Sequence, residues 1–173
     1  RMTRPLAAAC SNWVRRALAA TATLRANRRG SSAWCASALM LNALVDSGPL
    51  AALYNHRDHH HAHAVEFFRA HGARLRCHTT WEVVSEVMYF LGFSASAQGD
   101  FLDWLHLGHQ RGLMQIAALA PEDLPGLARM MRKYADRPMD LADASLVWLA
   151  DKSGITDIIT IDRADFSVYR TAR

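Results

Sequence analysis

The chain has 173 residues, 51% of them hydrophobic and 21% charged. That is enough for one ordinary domain with a core, and its apolar runs fall well short of the roughly 20 residues a membrane-spanning helix needs, so no membrane span is expected. Three cysteines, Cys10, Cys35 and Cys77, are scattered and form no Cys-x-x-Cys pair, which argues against a disulfide framework or a thiolate zinc site and favours a reducing, cytoplasmic setting.

The formal net charge of +4 is unevenly spread: residues 1–45 hold seven arginines and no acid, which leaves the remainder at −3. The basic character that would ordinarily suggest nucleic acid therefore comes from the leader and not from the body. Residues 1–38 are read as a basic N-terminal extension and residues 39–173 as the folded domain. The extension suits a phosphate-binding arm, an Arg-rich targeting peptide or a poorly ordered upstream segment, and its apolar pieces are too often broken by arginine for a secretory signal. A natural start near Met40 is expected, directly before the first convincing strand.

In chain order, "ASALMLNALVD" (36–46) reads as a buried strand ending at Asp46, and Ser47-Gly48-Pro49 opens a short helix through Tyr54. A helix over 59–72 stops at Gly72, "ARLRCHTT" (73–80) alternates as a strand does, and "WEVVSEVMYFLG" (81–92) resumes helical spacing. Then come a helix over about 95–111, a strand over 113–119, helices over about 122–135 and 140–153, a β-branched strand "DIITI" (157–161), and a short end strand "SVYR". Strands alternating with helices predict a three-layer α/β/α domain with a mostly parallel central sheet.

In such a sheet ligands sit beyond the carboxyl ends of the strands, so each acid can be tested against that edge. Asp46 closes the first strand and Asp162 directly follows the last long one. A helix that leads into a strand starts at the same edge, which places Asp140 and Asp143 there, and Glu82 and Glu86 lie in the first half of the helix leaving strand 73–80. Carboxylates remote in sequence thus converge. Two like charges about 4 Å apart repel by roughly 4 kcal/mol at an effective dielectric near 20, so the cluster predicts either raised pKa values or a neutralising divalent cation. Oxygen-only ligands favour Mg²⁺ or Mn²⁺, which also accept substrate phosphate oxygens.

Four stretches, "LVDSGPLAAL" (44–53), "TTWEVVSEVMYFL" (79–91), "PMDLADASLVWLA" (138–150) and "IITIDRADFSVYR" (158–170), make residues 40–170 resemble a PIN domain, in particular the VapC-like toxin ribonucleases. The resemblance implies a PIN-like fold and carries the family's four acids to Asp46, Glu86, Asp143 and Asp162. It further implies Mg²⁺- or Mn²⁺-dependent RNA cleavage by an activated water, a homodimer, and inhibition by a cognate antitoxin. The long basic leader departs from the family pattern.

Each residue also has a plainer reading. Asp46 before Ser-Gly-Pro suits a turn, Ser47 is either a turn serine or a hydrogen-bond partner of metal-bound waters or of Asp46, and Asp140 suits a helix cap that doubles as a ligand through water. Glu82 and Glu86 are an i, i+4 like-charge pair that a freestanding helix avoids; Glu86, flanked by Val83, Val87 and Phe90, is assigned to the site and Glu82 to a solvated or supporting role. Asp143 shares a stripe with Val147 and Ala150 and must be paired or metal-bound. Asp165 is placed as an orienting neighbour of Asp162, and Arg57, Arg163 and Arg170 as candidate phosphate contacts. His59 and His63 have metal-binding spacing, yet a solvated helix start describes the run better. Trp81, Tyr89, Phe90, Trp104 and Trp148 read as core or dimer contacts, with Tyr89 and Phe90 able to flank a partner groove.

The expected chemistry is metal-assisted phosphodiester hydrolysis of single-stranded or loop RNA. Two other classes stand beside it. One is a PIN-like module that binds RNA or protein without cutting; the other is a metal-dependent phosphatase on a different α/β sheet.

Overall fold

A computed structural model describes residues 40–136 and 139–170. The basic extension over 1–38 lies outside the described residues, as does Pro138 of the third acidic stretch. The elements are β1 (Leu41–Val45), α1 (Ser47–Tyr54), α2 (His61–His71), β2 (Leu75–Thr80), α3 (Trp81–Phe90), α4 (Ala95–Gln110), β3 (Met114–Ala117), α5 (Leu124–Lys133), α6 (Leu141–Ser153), β4 (Ile158–Ile159) and α7 (Arg163–Phe166). Single 3₁₀ turns at Gly72–Arg74 and Pro121–Asp123 lead into β2 and α5.

The four strands run in the order β3-β2-β1-β4 and every pairing is parallel, with Leu41 opposite Leu75, Cys77 opposite Met114 and Leu44 opposite Ile158. Parallel neighbours cannot be joined by a hairpin, so helical crossovers cover the sheet faces. The effect is visible in β1, where Ala43, Leu44 and Val45 are all buried although successive side chains point to opposite faces. A large core forms around β1, β2, α1, α3 and α4, with Leu50, Val83, Leu91, Phe101 and Leu146 fully enclosed. A smaller one joins α5, α6 and the C-terminal turn through Leu127, Tyr134, Met139, Val147 and Tyr169.

Local chemistry sets the helix ends. Thr80 and Ser94 cap α3 and α4 by accepting from the N–H groups of Val83 (3.3 Å) and Ala97 (3.2 Å). Helix α6 stops at Gly154, whose φ of 72° is the left-handed conformation that suits a residue without Cβ. Gly108 allows α4 to lie close on β3, since a Cβ there would come 3.0 Å from that of Met114.

The predicted end strand "SVYR" is not a strand. Asp162 caps α7, and the chain then turns back on itself, the N–H groups of Val168 and Tyr169 donating to the Asp165 carbonyl at 2.9 and 3.3 Å. Burial of the Tyr169 ring against Tyr134 and Phe166 outweighs the β propensity of Val-Tyr. Among the described residues no helix is long and apolar enough to cross a membrane.

Candidate active site

The carboxyl ends of β1 and β2 and the start of α6 meet at one rim, and buried hydroxyls hold them in register. Thr79 donates to the carbonyl of Val45, the last residue of β1, at 2.9 Å. Thr80 and Ser145 share a hydrogen bond of 2.6 Å, and Ser145 donates onward to the Ala142 carbonyl at 2.7 Å. Because the Ser145 proton is committed to Ala142, Thr80 is the donor of the pair. This bond ties the N-cap of α3, the helix that carries Glu86 in its second turn, to the start of α6, whose first turn carries Asp143. Thr79, Thr80 and Ser145 are completely buried, so an unmade bond here would be costly.

Asp46 caps α1 and belongs to the candidate site. One carboxylate oxygen accepts from the Ser47 N–H at 2.7 Å, and the other accepts from the Thr160 hydroxyl at 2.8 Å. Burial pushes its pKa up, partly offset by those two bonds, and repulsion from Asp140 and Asp162 pushes it further up. Glu86 is half-buried and also raised, chiefly by burial; the Ser47 hydroxyl counteracts this, while Asp140 and Asp46 reinforce it. Asp143 is raised most, to about 7, by burial and by the charges of Asp140, Asp46, Glu86 and Asp165 in turn. Asp140 caps α6 as expected, accepting from the Asp143 N–H at 2.8 Å. The opening pair of acids on α6 thus divides its work between capping and charge.

The structure therefore brings Asp46, Glu86, Asp140 and Asp143 into one electrostatic group, with Asp162 acting on Asp46 and Asp165 on Asp143. Asp162 itself is exposed and caps α7, accepting from the Asp165 N–H at 3.1 Å. Glu82, expected to be solvated or supporting, has one buried carboxylate oxygen without a hydrogen-bond partner. Arg163 is exposed at the first position of α7, next to Asp162. Arg170 is committed to the C-terminal turn, its guanidinium donating to the carbonyls of Ser167 and Tyr169 at 2.6 and 2.9 Å. Arg57 is exposed in the loop after α1, where its backbone N–H bonds to Asn55. The described ion pairs, Lys152 with Asp123 and His59 with Asp58, leave the four clustered carboxyls uncompensated.

Besides the buried hydroxyls of Thr79, Thr80 and Ser145, sequence reasoning missed two groups that bond directly to the acids. Thr160 was passed over inside a strand-like run, although a hydroxyl two residues before Asp162 at a strand end was a usable signal. Tyr169 had none, because its role depends on the C-terminal turn: its hydroxyl lies 3.4 Å from the second oxygen of Asp143 while its ring is buried. Burial, with the charges of Asp143 and Asp165, raises its pKa.

Among the described residues, no group of three or more His, Cys, Asp or Glu side chains is placed so as to hold a metal ion by itself. The fit to a cation rests instead on the donors, all of them hard oxygens, and on their uncompensated negative charge. Both suit a hydrated ion of the Mg²⁺ type, which keeps several waters and takes one or two carboxylates directly, better than a closed cage.

No protein-family model matches the chain. It is 26% identical over 127 residues to Ribonuclease VapC26 of Mycobacterium tuberculosis, an alignment covering 73% of this chain and 91% of that protein. Its fold is similar to the crystal structure of Mycobacterium tuberculosis VapC20, a Sarcin-Ricin loop cleaving toxin, with a TM-score of 0.60 at 17% identity over 72% of this chain and 92% of that one. Sequence and fold together show the resemblance to PIN-domain, VapC-like proteins that the four acidic stretches imply.

Proposed function

We propose that the chain is a divalent-metal-dependent endoribonuclease, the toxin of a toxin–antitoxin pair. The observation that carries this reading is the group of Asp46, Glu86 and Asp143, without a compensating cation among the described residues, at the carboxyl edge of a parallel sheet, each raised by burial and by its neighbours. The name and description of the two similar proteins, a ribonuclease and an RNA-loop-cleaving toxin, point the same way.

In this reading Asp46, Glu86, Asp143 and Asp162 hold Mg²⁺ or Mn²⁺, directly and through water. The bound ion supplies an acidified water and charge stabilisation at the phosphoryl oxygens. The protein does the positioning. Thr160 and the Ser47 N–H fix both oxygens of Asp46, the Ser47 hydroxyl steadies Glu86, and Asp140 and Asp165 are secondary groups that keep local negative charge high. Arg163 takes an RNA phosphate beside the rim, with Arg57 in a lesser part; Arg170 contributes through the fold of the C-terminal turn. A cytoplasmic location, a homodimer, an antitoxin partner, and a domain that starts at residue 39 belong to the same proposal.

The test is RNA cleavage by the parent protein with Mg²⁺, Mn²⁺ or EDTA, beside Asp46→Asn and Asp143→Asn. Cleavage that needs the metal and both acids is the expected result. Identical RNA products from parent and Asp143→Asn would instead favour a non-catalytic RNA- or protein-binding module, and turnover of small phosphate esters with intact RNA would favour a phosphatase.

A further inference from the structure

Beside the carboxylate group lies a second concavity. A cavity of about 780 Å³ opens between α2 on one side and β4 with α7 on the other, within the range of roughly 300–1,000 Å³ typical of small-ligand sites. Its construction follows helical spacing. His60, His63 and Phe67 fall at i, i+3 and i+7 of one face at the start of α2, and Arg163 and Phe166 fall at i and i+3 of α7. The two half-buried phenylalanines give the walls, and exposed His63 and Arg163 with half-buried His60 give the rim. Thr160 belongs to both places: it lines the cavity while its hydroxyl is bound to Asp46 at 2.8 Å. The cavity therefore begins one side chain away from the candidate catalytic group.

We propose that this cavity seats one unstacked base of a single-stranded RNA, the nucleotide neighbouring the phosphate held at the carboxylate rim. Arg163, His60 and His63 receive the flanking phosphate. Charge complementarity selects this occupant. The carboxyl rim repels a polyanion, and Arg163 and the two histidines place cationic or hydrogen-bonding groups where the strand must pass. Aromatic and aliphatic walls suit a flat base, the general mode by which single-stranded nucleic acid is gripped. A purely apolar partner would leave Arg163 facing it without a counter-charge, and a bare phosphate would leave the phenylalanine walls without use. The proposal rests on the ribonuclease reading for the identity of the polymer, but its test reads binding and not cleavage.

The experiment measures fluorescence anisotropy of full-length protein carrying Asp143→Asn, to prevent cleavage, with fluorescein-labelled (rA)10, (rC)10 and (rU)10. An abasic ribose-phosphate ten-mer of equal charge is the reference. The tightest base-bearing oligomer should bind about tenfold better than the abasic one, the size of one stacked base. Two separate substitutions fill the cavity from exposed positions, Ser167→Trp and His63→Trp; either should bring that ratio below about threefold, Ser167→Trp with abasic binding unchanged and His63→Trp with weaker abasic binding because a phosphate contact is lost too. Arg163→Gln should weaken all four probes alike. Equal binding of abasic and base-bearing probes by the starting protein, or a ratio that persists in both tryptophan variants, overturns the base site. If the ratio behaves as expected while the unsubstituted protein cleaves no RNA, the nuclease reading fails and the base site stands; metal-dependent cleavage with an unchanged ratio gives the reverse.

Discussion

Two acids near helix starts, Asp123 before α5 and Asp143 in the first turn of α6, live in opposite circumstances. Asp123 is held below the usual carboxylate range by the indole of Trp148, which lies near it though outside strict hydrogen-bond geometry, by the Ala120 N–H at 3.0 Å and by Lys152 at 3.4 Å. Among the described residues Asp143 meets four other carboxyls and no cation, and it is pushed up to about 7. The first arrangement is what folding alone favours, a capped and compensated charge. The second works against folding, because burial and like charge both oppose ionisation. An acid kept where folding gains nothing from its charge is what makes Asp143 a candidate for the site.

The strongest way to break this comparison is to remove the charges one at a time. Asp143→Asn and Asp46→Asn should each lower metal-dependent RNA cleavage by more than about a hundredfold, since loss even of an outer partner of a metal ligand costs about 10- to 100-fold. Asp123→Asn should leave the rate unchanged. Single-turnover assays at saturating Mn²⁺ read this directly, and equal losses at Asp123 and Asp143 would end the distinction.

Titration sharpens it next. Between the ordinary aspartate pKa of 3.8 and about 7, folded Asp143 keeps a proton that the unfolded chain has released, so the folded state binds more protons and stability falls as pH rises through that window. The raised pKa values of Asp46 and Glu86 act in the same direction. Metal-free protein should therefore melt at lower temperature at pH 7.5 than at pH 5. Mn²⁺ prefers the ionised carboxylates and should raise the melting temperature more at pH 7.5. Asp143→Asn should flatten the metal-free dependence; a profile as steep as the parent's would show that another group carries it.

How much of this was legible beforehand follows from what fixes each feature. The order of strands and helices was readable because hydrophobic period and Gly or Pro punctuation are local, as at Gly72, Gly154 and Ser47-Gly48-Pro49. Asp46, Glu86 and Asp143 were readable because a parallel sheet sends their elements to one edge whatever the details. Thr80 with Ser145, Thr160 with Asp46, and Tyr169 with Asp143 were not. Each pairs residues 26 to 114 positions apart through a single hydroxyl, and no periodicity encodes such a match. The end strand over 167–170 failed for the same reason: Tyr169 answers to Tyr134 across the second core and not to its neighbours in sequence.

Those hydroxyls give the smaller effects. Ser145→Ala removes both the acceptor for buried Thr80 and the donor to Ala142, and should cost about 1–3 kcal/mol by urea unfolding, the usual penalty for a buried polar group left unmatched. It should also loosen α3 against α6, and with them Glu86 against Asp143, so some loss of cleavage should accompany the loss of stability. Ser145→Thr, which keeps the hydroxyl, separates the lost bond from crowding by an added methyl.

Tyr169→Phe should be the mildest and the most informative. The ring, its packing on Tyr134 and Phe166, and the C-terminal turn all remain, while the only group removed is the hydroxyl 3.4 Å from Asp143. A bond that long is near the outer limit for O–H···O, so the loss should fall at the lower end for an outer partner, about tenfold or less in Mn²⁺ affinity. Stability without metal should hardly move, because removing the hydroxyl also removes the cost of taking it out of water, which offsets the loss of one long bond. Calorimetric titration with Mn²⁺ and a melting curve in EDTA read the two quantities apart. Unchanged affinity with unchanged stability would mean that Asp143 keeps its orientation from α6 alone. Weakened affinity without destabilisation would mean that the C-terminal turn, which no local pattern in "SVYR" announces, helps to aim the acid on which the proposed site would depend.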